Sequence, residues 1–235
     1  MSFYDNYARR DKISRLGRMF VKKQNQNFLK LILENFKSRK KRLRILEIGP
    51  GKGYFAKECI DNNIDYTGIE ANKSLYKNLK LQGVSVYNHK VPPIKINSKF
   101  DVIFMNQVLE HMQNIEIILI LFDECKKKLK KNGIFVVSTP DITFFKEDFF
   151  GCDYTHQFPL SLYSLNQLFD DFNFKIKYTN THSLIFRGYF LTRVIWIIVN
   201  LLYSLGVIKL VFRKKAYKIK NLANASCVVI GEKNE

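Results

Sequence analysis

Leu43-Arg44-Ile45-Leu46-Glu47-Ile48-Gly49-Pro50-Gly51-Lys52-Gly53-Tyr54-Phe55 is the stretch on which the fold turns. An apolar run of strand length carries an acid near its end, three glycines follow at every second position, and an aromatic segment then opens a helix. Glycines so placed let the backbone turn sharply and let a ligand approach main-chain N–H groups at the mouth of a parallel sheet. The spacing excludes two common occupants. A dinucleotide fingerprint would need glycine where Tyr54 stands, and a phosphate loop would need Ser or Thr after Lys52, where Gly53 stands.

Outward from this turn the pattern alternates. Strands are expected at 43–48, 65–70, 84–88, 100–105 and 133–138, with helices at 54–62, 73–81 and 115–130 between them. Asn132-Gly133 reads as a turn into the fifth strand. Such alternation implies right-handed crossovers and a doubly wound, mostly parallel α/β sheet whose ligands lie beyond the carboxyl ends of the strands. Residues 1–42 read as a helical segment, with Phe28, Leu29, Ile32, Leu33 and Phe36 at helical spacing and Tyr4 and Tyr7 as packing residues.

Glu47-x-Gly49-x-Gly51-x-Gly53 resembles the first motif of the class I S-adenosylmethionine-dependent methyltransferases. Leu109-Glu110-His111 after the fourth strand resembles the small bacterial members of that family, including those of surface-polysaccharide biosynthesis. The resemblance spans roughly residues 40 to 182 and implies a seven-stranded Rossmann-like sheet. Its sixth strand would be 174–178, and its last, 225–230, would run antiparallel beside the fifth. It also implies S-adenosyl-L-methionine as cofactor and S-adenosyl-L-homocysteine as product. Glu47, Gly49, Gly51 and Gly53 would form the cofactor turn, and Glu70, ending the second strand, would accept the ribose hydroxyls. Asn88 stands where the family often has an aspartate near the adenine, and Asn106 and Gln107 would border the methionine end.

Transfer to a hydroxyl requires a base, and His156, in Asp153-Tyr154-Thr155-His156, is the candidate, with Asp153 to orient it. Glu110 and His111 are read as structural. An anionic acceptor, a phosphate or phosphoramidate, would need only Lys or Arg clamps. The expected activity is O-methylation of a small or carbohydrate-linked acceptor in capsule or lipopolysaccharide biosynthesis. The alternative is a quinone or lipid methyltransferase at a membrane surface. An RNA methyltransferase ranks lower, because the Asn/Asp-Pro-Pro-aromatic motif is missing after the fourth strand and no specific nucleic-acid partner is expected.

At 235 residues, 46% hydrophobic and 14% aromatic, the chain suits one well-cored domain. Met1 to Arg10 lacks the apolar core of a signal peptide, so no leader is expected. Cys59, Cys125, Cys152 and Cys227 form no metal-type pair; reduced thiols, a cytoplasmic location and no metal are expected. The net charge of +18 concentrates in runs 37–44, 126–131 and 213–220, fitting a solvated surface or an anionic partner.

Residues 183–224 exceed the hairpin that the family needs between its last two strands. On a helix Arg193, Asn200 and Ser204 share one face, leaving Ile195, Trp196, Ile198, Val199, Leu202 and Leu205 as an apolar surface. That surface is expected to pack on the domain or on a second copy, with contact to the inner membrane face as the competing possibility.

Overall fold

In the computed structural model, which describes residues 14–36, 43–183, 189–221 and 223–234, seven strands of the described residues form one sheet. They are β1 (Arg44–Ile48), β2 (Asp65–Ile69), β3 (Val86–Tyr87), β4 (Phe100–Asn106), β5 (Leu129–Pro140), β6 (Phe174–Ser183) and β7 (Ala225–Lys233). Their order is β3-β2-β1-β4-β5-β7-β6, parallel through β5 and antiparallel at β5–β7 and β7–β6. The order reverses between β1 and β4. That reversal opens a crevice at their carboxyl ends, where the glycine turn lies.

Successive side chains of a strand point to opposite faces. Leu46, Ile48, Ile103, Met105, Phe135 and Val137 therefore meet α4 (Ile115–Lys128) and α7 (Leu162–Asp171) on one side. Ile45, Val102, Phe104, Ile134 and Val136 meet α1 (Arg15–Asn35) and α2 (Tyr54–Asp61) on the other. Because both faces are covered, the central strands read as continuous apolar runs. Local chemistry sets the helix starts: Asn72 caps α3 (Lys73–Leu81) by accepting from the amides of Ser74 and Leu75, and Ser161 forms a capping box on α7.

Several boundaries differ from the sequence reading, all through pairing partners. β3 keeps only two residues, because its neighbour β2 offers it two register positions. β5 starts at Leu129, ahead of the expected turn; Lys130 to Gly133 bulge out between the Phe100–Leu129 and Val102–Ile134 pairs, with Asn132 at φ +58°. β6 runs to Ser183, because β7 pairs with it over its whole length. On α1 the buried partner of Phe28, Leu29 and Ile32 is Leu31, while Leu33 is 50% exposed. Tyr4, Tyr7 and most of the 37–44 basic run lie outside the described residues.

The short helices α5 (Ile142–Phe145) and α6 (Asp148–Cys152) follow β5, and the insertion forms α8 (Tyr189–Ser204), α9 (Val207–Phe212) and α10 (Ala216–Asn221). α8 is rotated from the expected packing: Trp196 faces the domain as expected, with Ile195 and Val199 half-buried, but Arg193 of the polar face faces it too. Its Arg193 donates to the Thr143 carbonyl (3.0 Å), with the guanidinium 5.1 Å from the Phe144 ring centre and 4.7 Å from that of Trp196. Trp196 Nε1 donates to the Phe144 carbonyl (2.8 Å) and to Asn224 Oδ1 (3.0 Å). The end of α5 and Asn224 offer hydrogen-bond acceptors that only the Arg193–Trp196 side can use. Ile198, Leu202 and Leu205 are consequently exposed.

Candidate functional site

After β1 the chain turns through Gly49, Gly51 and Gly53, all at positive φ (+74°, +56° and +77°). A Cβ at Gly49 would stand 2.7 Å from Val108 Cγ2 and one at Gly53 2.6 Å from Leu79 Cδ2, whereas at Gly51 it would meet nothing within 4 Å. The outer glycines thus hold the turn against the segment after β4 and against α3, and Gly51 leaves backbone open to a ligand.

Glu70 follows β2 and is buried, its Oε2 accepting from the Gly51 amide (3.0 Å) and its Oε1 from the Asn72 amide (2.8 Å). Burial raises its pKa, with the Asn72 and Gly51 amides pulling the other way. A carboxylate has about four acceptor sites, and the Ala71 amide also bonds to this one, so the remaining capacity is what hydroxyl donors could use. Asn88 is exposed and spends its amide on the Glu70 and Ala71 carbonyls (2.7 and 3.2 Å). It braces the end of β2.

Glu47 lies beneath the turn, its Oε2 accepting from the Tyr66 hydroxyl (2.5 Å). Desolvation pushes its pKa from the usual 4.5 to about 8. A pKa raised by folding makes stability greatest below the unfolded value and loses it as pH rises through the folded one. Thermal stability should accordingly fall as pH rises from about 5 to about 8, and Glu47→Gln should flatten part of that slope. Calorimetric unfolding at three pH values checks this; an unchanged slope would place Glu47 in the ionised state.

Asn106 ends β4 and pairs in register with Ser138, near the end of β5. Asn106 Oδ1 and Ser138 Oγ are buried with no hydrogen-bond partner among the described residues, two polar groups suited to a ligand at the strand ends. Gln107, at φ +57°, donates its backbone amide to the Ser138 carbonyl (2.8 Å) and its side chain to Ser226 Oγ (3.1 Å). Its amide therefore reaches toward β7.

On the acceptor side, Leu109–His111 forms a single tight turn. Glu110 is fully buried: its carbonyl accepts from the Gln157 and Phe158 amides, and its Oε2 accepts from Thr139 Oγ1 (3.0 Å). Oε1 has no partner among the described residues, and desolvation pushes the pKa up to about 8.

His156 Nδ1 lies 2.6 Å from the Phe149 carbonyl, and His111 Nδ1 lies 3.2 Å from the Thr155 carbonyl and 3.0 Å from its hydroxyl. A carbonyl only accepts, so Nδ1 carries the proton and Nε2 is each neutral ring's acceptor. Burial, the largest cause, lowers the His111 pKa and favours the neutral form. The two rings stand 5.0 Å apart.

The Asp153 carboxylate does not bond to the His156 ring; Asp153 meets His156 only through its carbonyl, which accepts from the His156 amide (3.1 Å). Its carboxylate accepts from the Thr155 amide (2.9 Å) and hydroxyl (2.7 Å), so it positions Thr155 and, through it, His111. One carboxylate oxygen of Glu110 and one ring nitrogen each of His111 and His156 lie within 4.8 Å of one another, a donor set that suits a divalent cation as well as proton transfer. Sequence reasoning set Glu110 and His111 aside as structural. The signal was there in an acid and a histidine directly after β4, at the topological switch.

Residues 20–179 match the family model described as a methyltransferase domain. A curated relative, the ubiquinone biosynthesis O-methyltransferase of Pelagibacter ubique (strain HTCC1062), is 29% identical over 122 residues, covering 46% of this chain and 48% of the relative. The match thus spans about half the length of that relative. Among solved structures, a SAM-dependent methyltransferase from Archaeoglobus fulgidus superposes with a TM-score of 0.64 at 18% identity, covering 99% of this chain and 100% of its own. The N-methyltransferase NodS from Bradyrhizobium japonicum WM9, in complex with S-adenosyl-L-homocysteine, gives 0.67 at 12% identity, covering 99% and 97%. With the family match over most of its length and this fold, the chain belongs to the class I S-adenosylmethionine-dependent methyltransferase family.

Proposed function

We propose that the chain transfers the methyl group of S-adenosylmethionine to a hydroxyl oxygen of a small or saccharide-linked acceptor. The observation that carries this reading is the adjacency of two constellations. The glycine turn closed by Glu70 stands at the ends of β1 and β2, and the segment after β4 that packs on Gly49 through Val108 leads directly into His111, opposite His156.

Bound in the crevice, the cofactor supplies an electrophilic methyl group on a sulfonium. Glu70 would accept from its ribose hydroxyls, the open backbone at Gly51 would line it, and Asn106 and Ser138 would meet its polar end. The chain's own contribution to rate is alignment of the acceptor oxygen, which holding in place makes effectively intramolecular. His156 takes the hydroxyl proton on Nε2, while the Phe149 carbonyl keeps the ring oriented and stabilises the cation that forms.

The saccharide acceptor rests on the Leu109-Glu110-His111 resemblance to polysaccharide enzymes. A second acceptor class, a quinone-type or lipid hydroxyl at a membrane, is favoured by the uncovered apolar side of α8 and by the activity named for the curated relative.

A methyl-label transfer assay on the purified chain tests the proposal, with sugar-nucleotide and hydroquinone acceptors as separate panels. The expected product is a methyl ether; label found only on nitrogen or carbon, or failure to bind the cofactor in calorimetry, would overturn it. Activity abolished by chelation and restored by added divalent cation would assign Glu110, His111 and His156 to a metal and withdraw the base from His156.

A further inference from the structure

We propose that the outward face of α8 and α9 docks on an anionic lipid bilayer, holding the chain at a membrane surface with its acceptor site beside the lipid. Docking does not depend on the methyltransferase reading. It rests on what this face exposes, how it is held, and what its charge permits.

Phe190 (81% exposed), Leu201 (57%), Leu210 (80%) and Val211 (64%) lie on the two helices and Leu205 (68%) in the break between them. So large an apolar face is uncommon on soluble monomers and marks a contact surface. It is not a loosely attached appendage. Arg193 and Trp196 fasten α8 to α5, Ile208 of α9 is buried, and Tyr217 and Lys220 of α10 bind the Asp148 carboxylate.

The pair cannot thread a bilayer as a straight rod. No single helix among the described residues is long and apolar enough to cross a membrane, and the α8 and α9 axes bend by 74° across Leu205 and Gly206. A short, bent, amphipathic pair is suited to lying in the headgroup plane.

Charge selects the occupant. Residues 189–221 contain seven basic residues and no acidic one; Arg193 and Lys220 are engaged inward, and Lys209, Arg213, Lys214 and Lys215 stand exposed. A two-fold dimer through this face would set the same cations against each other, since an isologous interface opposes identical patches. An anionic headgroup layer complements them instead, at about a fivefold gain in affinity for each cation near the surface. Nucleic acid would satisfy the cations but leave the apolar side chains uncovered.

The helix that follows the docked pair is linked to the site. α10 holds Asp148, whose neighbour Phe149 supplies the carbonyl that holds His156. Under the proposed function, an acceptor carried in or on the membrane would meet His156 with little travel.

Flotation with phosphatidylcholine vesicles, with and without phosphatidylglycerol, tests the docking. The full chain should float with the anionic vesicles, and raised salt should weaken binding. Leu201→Asp with Leu210→Asp, and separately Arg213→Gln with Lys214→Gln and Lys215→Gln, should each lower binding at least about tenfold. Both variants alter exposed side chains and should keep the parental unfolding temperature and cofactor affinity. Binding unchanged in either variant overturns the proposal, as does a monomer that fails to float. A dimer seen by light scattering and abolished by Leu201→Asp overturns it in favour of a second copy.

Discussion

His156→Ala is expected to lower turnover about 10²–10⁴-fold and to leave cofactor affinity near the parental value. The Phe149 carbonyl fixes its Nδ1, the Phe149 ring packs 4.7 Å from the imidazole, and none of its contacts touches the glycine turn or Glu70. Single-turnover rates and calorimetry on the same preparation separate the two quantities. If the variant keeps its turnover, the pH profile says why. A flat profile, with strong losses on removing nearby Lys or Arg, means an anionic acceptor that needs no base. One ionisation below the usual histidine range instead moves the role to His111, whose pKa burial lowers and whose ring the Asp153–Thr155 pair already orients.

Glu70→Ala should weaken cofactor binding about 10²-fold or more, the reverse split from His156. The carboxylate acts twice. It would receive the ribose hydroxyls, and it already holds the Gly51 and Asn72 amides, so its loss loosens the rim of the turn as well as removing a contact. Hydrogen bonds to charged groups contribute about 1.5–3 kcal/mol each, and losing two accounts for that magnitude. Glu70→Gln should recover only part of the affinity, because a carboxamide offers one acceptor oxygen where the carboxylate offers two. The raised Glu70 pKa adds a direction: affinity should drop in acid as the carboxylate protonates and presents fewer acceptors. Isothermal calorimetry across pH measures all three, and an unchanged affinity in the alanine variant would remove Glu70 from the cofactor site.

Much of this architecture was legible without coordinates, for reasons local to the chain. Leu43 to Phe55 specifies strand, turn and helix because apolar runs, positive-φ glycines and a helix start act over a few residues. The same holds for the acid ending the second strand, whereas the antiparallel last strand beside the fifth was implied by the family resemblance and not by local pattern.

Other features lay beyond local pattern. Period alone shows that α8 is two-sided but not which side faces in, and the carbonyls of Thr143 and Phe144, some 50 residues away in sequence, decided it in favour of Arg193 and Trp196. The lengths of β5 and β6 follow from β7, which pairs with both. Asp153 was expected on its near neighbour in sequence, His156, yet the fold routes it through Thr155 to His111, which belongs to another strand end. Short-range sterics and capping determine the glycine turn and the order of elements. The choice of buried face and the grouping of Glu110, His111 and His156 depend on hydrogen bonds between segments that only the closed sheet brings together.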